Sequence, residues 1–199
     1  MRKVDALVAS CLTMLLACWP LGPALGADYP LASGATAVGA IARYHASGAD
    51  TLLDVARRYD LGYTQLIAAN RGVDPWFPGA GPILLPSFYL LPDAPHRGIV
   101  INLSEERLFY FPPDGRSVVT FPIGIAADGQ STPLGTTRVV AKQAGPRWYP
   151  PASIRAEEPG LPRVIPPGPD NPLGAFALRL GWSDYLIHGT NKPDGVGRM

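Results

Sequence analysis

The stretch RGIVINLSEERLFYF, residues 97–111, predicts a β-hairpin. An apolar run is followed by the polar turn Ser104-Glu105-Glu106 and by a second apolar and aromatic run, Leu108 to Phe111. β-Branched and aromatic residues favour strands, and turn residues between two such runs favour a hairpin. The stretch therefore indicates that the domain around it is built mainly from β-strands.

Four further runs downstream have the same texture and bring the expected number of strands to six. They are RSVVTFPIGI (116–125), TTRVVAK (136–142), GAFALRL (174–180) and DYLIHGT (184–190). We expect their apolar residues to form the core, namely Val118, Val119, Ile123, Val139, Phe176, Leu178 and Leu180. The proline-rich segment between the fourth and fifth strands, residues 148–174, is long enough to predict a functional lid or substrate wall.

The preceding part of the chain has helical rather than strand-like patterns. Asp50 or Thr51 can cap a helix whose apolar face consists of Leu52, Val55, Ala56 and Tyr59. A second short helix fits residues 64–69, and a strand with a proline stop fits residues 83–86. A weak strand is expected at residues 41–46, so the order of elements is strand, helix, helix, strand. A linker of small residues, 32–39, precedes this unit.

This unit, residues 40–91, resembles a LysM module, a small fold that binds glycans containing N-acetylglucosamine, such as peptidoglycan. The resemblance rests on Tyr44, Gly48, Asp50-Thr51-Leu52, Ala56, Tyr59, Leu66, Asn70, Gly79 and Ile83-Leu84-Leu85-Pro86. Ala49 departs from the tighter Gly-Asp-Thr turn of typical modules. The resemblance implies glycan binding, and a packing module without a ligand is the alternative.

Several short motifs follow one another in a specific order after residue 95. They are Asn102-Leu103 with Glu106-Arg107-Leu108, Phe121 to Gly124, Ser131 to Thr136, Gly168 to Gly174, and Ile187 to Thr190. Together they resemble the YkuD-type L,D-transpeptidase catalytic domain, within the ErfK/YbiS/YcfS/YnhG group, which also carries a LysM-like N-terminal unit. The resemblance implies a β-sandwich-like catalytic domain at residues 96–199, preceded by the small βααβ module.

The resemblance also implies a reaction on peptidoglycan stem peptides. In this family a cysteine attacks a tetrapeptide donor, releases the terminal D-alanine and holds the rest as a thioester. An amine then attacks, either from another stem, which gives a 3→3 crosslink, or from a lysine of an outer-membrane lipoprotein. No metal and no organic cofactor are implied. An exported peptidoglycan-binding protein without catalysis is the alternative function, and a hydrolase that uses water as acceptor is a weaker one.

The resemblance assigns the catalytic base to His188 and the carbonyl that orients it to Gly189. Neutral histidine suits this role because its reference pKa, ~6.5, is near the working pH. A nearby base raises the thiolate fraction of a cysteine nucleophile. A histidine that only hydrogen-bonds to a loop is the alternative for His188. Trp148, Tyr149 and Thr190 are the candidate substrate-binding residues, and a core role is the alternative for Trp148 and Tyr149.

The family's cysteine motif, of the type SxGCxR, is expected beyond Met199, so we expect the printed chain to be inactive by itself. His45 and His96 lie in linker-like positions, and we expect surface roles for both.

The first 26 residues predict a signal peptide and therefore a periplasmic protein. A basic start, Arg2-Lys3, precedes an apolar stretch, and Ala24-x-Gly26 supplies the small residues that a signal peptidase accepts. The apolar stretch is shorter than the ~20 residues of a spanning helix, and an uncleaved anchor is the alternative. Lipidation at Cys18 is a second alternative to the cleaved signal peptide. Both cysteines, Cys11 and Cys18, lie here, so a chain cleaved after Gly26 can form no disulfide.

Charge argues against a nucleic-acid partner. Of 17 basic and 16 acidic residues, only Arg2, Lys3 and Asp5 precede residue 27, which leaves 15 of each sign. There is neither a basic stripe nor a basic-aromatic alternation of the kind that nucleic-acid-binding proteins use.

Overall fold

The computed structural model describes residues 26–125, 132–183 and 185–198, and strands dominate. The strands are β1 Ala27–Pro30, β2 Ala37–Gly39, β3 Ala42–His45, β4 Pro82–Leu85, β5 Phe88–Leu90, β6 Gly98–Asn102, β7 Arg107–Phe111, β8 Ser117–Pro122, β9 Val139–Ala144, β10 Phe176–Leu180 and β11 Leu186–His188. The helices are α1 Leu52–Arg58, α2 Tyr63–Ala69 and α3 Ala152–Glu157, with a 3-10 helix at Pro193–Gly195. The mainly β class predicted from the sequence is confirmed.

Several predictions concern residues outside the described part of the chain. They are the signal peptide up to residue 25, with Cys11 and Cys18, and Ser131 of the third motif. In the part that is described, no helix has the length and apolar character needed to cross a membrane.

The N-terminal unit has the expected strand-helix-helix-strand order. Thr51 caps α1 in a capping box, in which its Oγ1 accepts from Asp54 N at 3.1 Å and Asp54 accepts from Thr51 N at 3.0 Å. α2 starts at Tyr63, one residue before the predicted start. β3 and β4 pair in antiparallel register with Tyr44 opposite Ile83. The assignment to the LysM family stays a prediction.

The structure contains three strands near this unit that the sequence did not predict, β1, β2 and β5. The predicted linker at 32–39 is wrong in part, because Ala37–Gly39 forms β2 and pairs with β5. β1 pairs with β8, so the four-stranded sheet has the order β1-β8-β7-β6. From β1 onward the chain therefore leaves this sheet, passes through the N-terminal unit and returns to the same sheet at β6.

One hydrophobic core connects the N-terminal unit with the four-stranded sheet. It contains Leu52, Val55 and Leu66 from the unit and Phe109 and Phe111 from β7, all at most 1% exposed. Since fully burying one such side chain contributes roughly 1.5–3 kcal/mol, the shared core couples the two parts energetically.

The second sheet has the order β11-β10-β9, and it carries less of the core than predicted. Val118 of β8 is fully buried as expected, but Val139 is 43% and Phe176 is 51% exposed. Every residue of β9 is exposed, because no described element covers that strand. Val139 and Phe176 are therefore corrections to the predicted core, whereas Val119, Ile123, Leu178 and Leu180 are half-buried.

Candidate active site

His188 is the last residue of β11, and its side chain is exposed. The imidazole Nδ1 lies 2.6 Å from the backbone oxygen of Gly189. A carbonyl oxygen can only accept a hydrogen bond, so Nδ1 must carry the proton in the neutral ring. The lone pair then resides on Nε2, which is the tautomer that a general base needs. The carbonyl contact expected from Gly189 is present, while the catalytic roles of both residues stay predictions.

The strand register places a polar side chain on the same face as His188. His188 pairs with Ala177 of β10, and Ala177 pairs with Gln143 of β9. Residues directly opposite each other in a sheet share a face, with Cβ atoms ~5 Å apart per strand. Ala177 is buried and small, whereas Gln143 is exposed. Gln143 is thus a candidate substrate contact that sequence reasoning missed, since only the strand register brings it to this face.

The turn after His188 packs tightly against a second glycine. Gly174 has φ +64°, and a Cβ built on it would lie 2.6 Å from Thr190 N and 2.8 Å from Gly189 Cα. Gly189 N also donates to Phe176 O at 3.1 Å. The backbone of residues 173–176 therefore supports the histidine turn directly, and a side chain at position 174 does not fit.

Asn171 organises the proline-rich segment behind this turn. It is fully buried, and its Nδ2 donates to Pro146 O at 2.8 Å and to Pro166 O at 3.0 Å. Its Oδ1 accepts from Leu173 N at 2.9 Å. One side chain thus joins two positions within the loop to residue 146, just before it, and Leu173 leads directly to Gly174. The motif at 168–174 included Asn171, but its buried position was not readable from the motif.

Two of the predicted substrate-binding residues, Trp148 and Tyr149, lie in this loop, and Thr190 lies in the histidine turn. Trp148 is half-buried and exchanges backbone hydrogen bonds with Ile165 at 2.9 and 3.0 Å. Tyr149 is 64% exposed, which makes it available to a ligand. Thr190 is exposed, and its Oγ1 accepts from Lys192 N at 2.9 Å. Their substrate-binding roles stay predictions. The predicted loop also contains helix α3, so it is partly ordered by its own secondary structure.

The third motif lies at the other end of β11 from His188. A Cβ built on Gly135 would lie 3.7 Å from the Trp182 ring, and Gly181 N donates to Arg138 O at 2.8 Å. This motif therefore packs against the turn between β10 and β11, which agrees with a structural role for it.

A second candidate site is an exposed aromatic loop of the N-terminal unit. Trp76 is 60% and Phe77 is 81% exposed. Asp74 Oδ1 accepts from the backbone N–H groups of both residues, at 2.8 and 3.1 Å. Pro75 O accepts from Leu52 N at 2.8 Å, which fastens the loop to the start of α1. Sequence reasoning missed these two aromatic residues, although their position between Pro75 and Pro78 signals an exposed loop.

Asp50 stabilises the other side of the helix start. Its carboxylate accepts from Tyr44 OH at 2.6 Å, from Ser47 N at 2.8 Å and from the Arg58 guanidinium at 2.8 Å. These bonds, with Tyr44 the largest contributor, hold the pKa of Asp50 well below its usual range. The network fixes the turn at 47–50 against α1.

The segment after the histidine turn runs back to the N-terminal unit. Gly197 O accepts from Thr64 N at 3.0 Å, and Arg57 pairs with Asp194 at 2.9 Å. The guanidinium of Arg198 lies 4.0 Å from the Tyr63 ring centroid. The end of α1 and the start of α2 therefore contact the segment that leads away from His188.

Comparison with known proteins decides the family. Residues 96–198 match the YkuD model, described as the L,D-transpeptidase catalytic domain. The chain belongs to the YkuD L,D-transpeptidase family. It is similar to the probable L,D-transpeptidase YcfS of Escherichia coli K12, with 44% identity over 190 residues, 90% of this chain and 56% of that protein. The probable L,D-transpeptidase YbiS of the same strain is 46% identical over 149 residues, which cover 71% of this chain and 48% of that protein.

The family and the group predicted from the motifs are confirmed. The chain spans about half the length of these curated relatives. Among solved structures, a probable carnitine operon oxidoreductase from Brucella melitensis aligns with 52% of this chain and 68% of its own, with a TM-score of 0.43 and 24% identity. That likeness is too loose to carry an argument.

The described ranges, 26–125, 132–183 and 185–198, contain no cluster of three or more His, Cys, Asp or Glu side chains able to hold a metal ion. Independence of metals and cofactors stays a prediction from the resemblance.

Proposed function

We propose that this chain belongs to an exported peptidoglycan L,D-transpeptidase and supplies its catalytic base, His188. The observation that carries the proposal is the contact between His188 Nδ1 and Gly189 O, which leaves the lone pair on Nε2 at an exposed strand end. Membership of the YkuD family provides the chemical context. Export to the periplasm rests on the pattern of residues 1–26.

The proposed reaction has two halves, acylation of the cysteine and transfer to the acceptor amine. Nε2 of His188 accepts and returns a proton in each half. It accepts the thiol proton as the sulfur attacks the carbonyl carbon before the terminal D-alanine of the donor stem. It then returns that proton to the departing amine of D-alanine, which leaves a thioester. In the second half, Nε2 accepts a proton from the attacking acceptor amine and returns it to the cysteine sulfur as the thioester breaks.

The nucleophile in this proposal lies outside the described residues. The sequence has two cysteines, Cys11 and Cys18, and both belong to the proposed signal peptide. We therefore propose that the full-length protein supplies the cysteine from residues after position 199. The coverage of only half of the relatives' length supports this.

The donor is proposed to be a tetrapeptide stem lying along the proline-rich loop. Tyr149 offers an exposed aromatic ring and Thr190 an exposed hydroxyl beside the histidine turn. Gln143 offers an amide on the His188 face of the sheet. The acceptor is proposed to be the side-chain amine of a second stem, which gives a 3→3 crosslink, or a lysine of an outer-membrane lipoprotein.

The exposed Trp76 and Phe77 favour glycan binding by the N-terminal unit, and with it the alternative of a peptidoglycan-binding protein. Contiguous exposed apolar residues often mark a surface that binds a partner or a ligand. In a sacculus sedimentation assay, replacing both by Ala should abolish binding, whereas Phe88→Ala, which removes another exposed ring, should not. Equal binding by the two variants would show that the loop with Trp76 and Phe77 does not bind glycan.

The direct test of the function is a product assay with the full-length protein and purified tetrapeptide stems. We expect released D-alanine and crosslinked dimers by mass spectrometry, and loss of both in His188→Ala. His45→Ala is the matched control, since His45 is exposed and lies in β3. Sacculus binding without any released D-alanine would instead support the non-catalytic alternative.

A further inference from the structure

Asp60, two residues after the end of α1, holds its carboxylate against the first residue of β1. Its Oδ2 accepts a hydrogen bond from Ala27 N at 2.9 Å. Asp60 is partly buried at φ +55°, a conformation that non-glycine residues seldom adopt. This contact joins the N-terminal unit to the edge strand of the four-stranded sheet, 33 residues apart in sequence.

In the part of the chain that the structure describes, the Asp60 carboxylate has no cationic partner within bonding distance. Among the described residues the salt bridges are Arg57–Asp194 and Arg58–Asp50. Arg107 approaches Asp60 but donates to its backbone oxygen, at 3.1 Å, and not to its carboxylate. Burial raises the pKa of Asp60, while the Ala27 N–H and Arg107 oppose that shift. Among the described residues, the group that bonds to this partly buried carboxylate is thus a peptide N–H, and no full positive charge pairs with it.

The nitrogen that faces Asp60 is also the one that signal-peptide cleavage after Gly26 would release. Water adds to the Gly26 carbonyl carbon, the Gly26–Ala27 bond breaks, Gly26 leaves as a carboxylate and the Ala27 nitrogen becomes an ammonium. We propose that cleavage between Gly26 and Ala27 converts this hydrogen bond into an ion pair between the Ala27 α-ammonium and Asp60. The inference rests on the export that forms part of the proposed function.

The ion pair would fasten β1 to the N-terminal unit at neutral pH. An α-amine has a reference pKa of about 7.7–8.0, so it is mostly charged at pH 7. The carboxylate already makes the present bond a charge-assisted one, and the ammonium would add the Coulomb attraction of a full positive charge to it. The other groups that face Asp60 are Arg107, Tyr29 and Tyr89. Burial raises the pKa of Tyr89 to about 12, so neither tyrosine brings a competing charge at neutral pH.

The sign of the pH dependence follows from the two partners. The ion pair requires an ionised Asp60, so the pair is lost as the pH falls through the folded pKa of this carboxyl, which burial raises and the ammonium lowers. Pairing with Asp60 raises the folded pKa of the ammonium, so its contribution is lost as the pH rises through that value. The pair therefore stabilises the processed chain between these limits.

The tight packing around Gly26 suggests a competing explanation, in which Gly26 stays in the mature protein. A Cβ built on it would lie 2.5 Å from the Phe121 ring and 2.8 Å from Thr120 O. Gly26 could thus be required as a packing residue of the mature protein, with cleavage further upstream. In that case the Ala27 nitrogen remains a peptide N–H and no ion pair forms. The N-terminal residue of the exported protein separates the two explanations.

The test uses the full-length protein exported with its own N-terminal segment. We expect N-terminal sequencing and intact mass to show Ala27 as the first residue. The pH dependence of α-amine acetylation should then give a pKa about one unit above the value measured for the same protein unfolded in urea, a tenfold difference in proton affinity. Asp60→Asn should abolish the difference, and Asp28→Asn should retain it, since Asp28 is exposed beside Ala27.

Each contrary outcome overturns the inference in a distinguishable way. A mature N-terminus at another residue excludes the ion pair and leaves the transpeptidase proposal standing. An N-terminus at Met1 excludes the ion pair and favours the uncleaved anchor over the cleaved signal peptide. An Ala27 amine whose pKa is the same in folded and unfolded wild-type protein also excludes the pair, and this comparison holds even if Asp60→Asn fails to fold.

Discussion

The guanidinium carbon of Arg107 lies 4.0 Å from the ring centroid of Tyr89, and this contact joins the four-stranded sheet to the N-terminal unit. Arg107 is 1% exposed and donates to Thr120 Oγ1 at 2.7 Å and to Asp60 O at 3.1 Å. A desolvated cation over an aromatic face contributes ~2 kcal/mol or more. The N-terminal unit is therefore packed into the catalytic part of the molecule.

Arg107→Ala should lower the free energy of unfolding by ~2–4 kcal/mol, because it creates a cavity and leaves Thr120 and Asp60 without a donor. Arg107→Met should cost less, since it retains most of the volume. Urea unfolding of both variants measures this, with exposed Arg116→Ala as the control. An Arg107→Ala protein as stable as the wild type would contradict the shared core.

Asn171→Asp should destabilise the proline-rich loop more than a surface substitution does. It replaces the amide donors to Pro146 and Pro166 by acceptors, and each buried group left unsatisfied costs roughly 1–3 kcal/mol. For a chain of this size, a loss of 1 kcal/mol lowers the melting temperature by roughly 2–4 °C. Calorimetry should show that drop, and an unchanged melting temperature would mean that the loop does not depend on Asn171.

Gly174→Ala should slow acylation in the full-length protein at least ~10-fold, because the new Cβ meets Thr190 N at 2.6 Å and displaces the histidine turn. Gly160→Ala is the matched control, since a Cβ there meets nothing within 4 Å. The rate of acylation by a carbapenem, followed by intact mass, reports the effect. Equal rates in the two variants would show that residue 174 does not position the histidine.

Asp50 should contribute stability that depends on pH in the acid range. Its pKa is lowered in the folded protein, so the contribution is complete above the unfolded value of ~3.9 and is lost as the pH falls below it. Asp50→Asn should therefore reduce the difference in melting temperature between pH 7 and pH 3. Asp93→Asn, at an exposed position, should leave that difference as in the wild type. A difference unaltered by Asp50→Asn would refute the role of this network.

Local patterns predicted the secondary structure well, because they depend on neighbouring residues. The capping box at Thr51 and the strand at Leu108 to Phe111 are examples. The pairing of β1 with β8 escaped prediction, since the partners lie some ninety residues apart and residues 27–30 carry no distinctive pattern. The exposure of Val139 escaped it as well, because burial depends on what covers a strand and not on the strand itself.

In the candidate site, too, some residues could be predicted from local sequence and others could not. The histidine turn was predicted from a motif, and the contact of His188 with the Gly189 carbonyl is there in the structure. Asn171 and Gln143 depend on tertiary neighbours: Asn171 on carbonyls up to 25 residues away, Gln143 on the register of two strand pairs. Such relationships leave no local signature in the sequence.

The central claim is that His188 is the base, and the pH profile of acylation tests it most directly. The full-length protein and its His188→Ala variant are mixed with a carbapenem, which acylates nucleophilic cysteines, and intact mass gives the rates from pH 6 to 8. We predict an acidic limb in the wild type, because a protonated imidazole cannot accept the thiol proton, and a ~10²–10⁴-fold lower rate in the variant. Equal rates for both proteins across this range would contradict the account and leave His188 with a structural role.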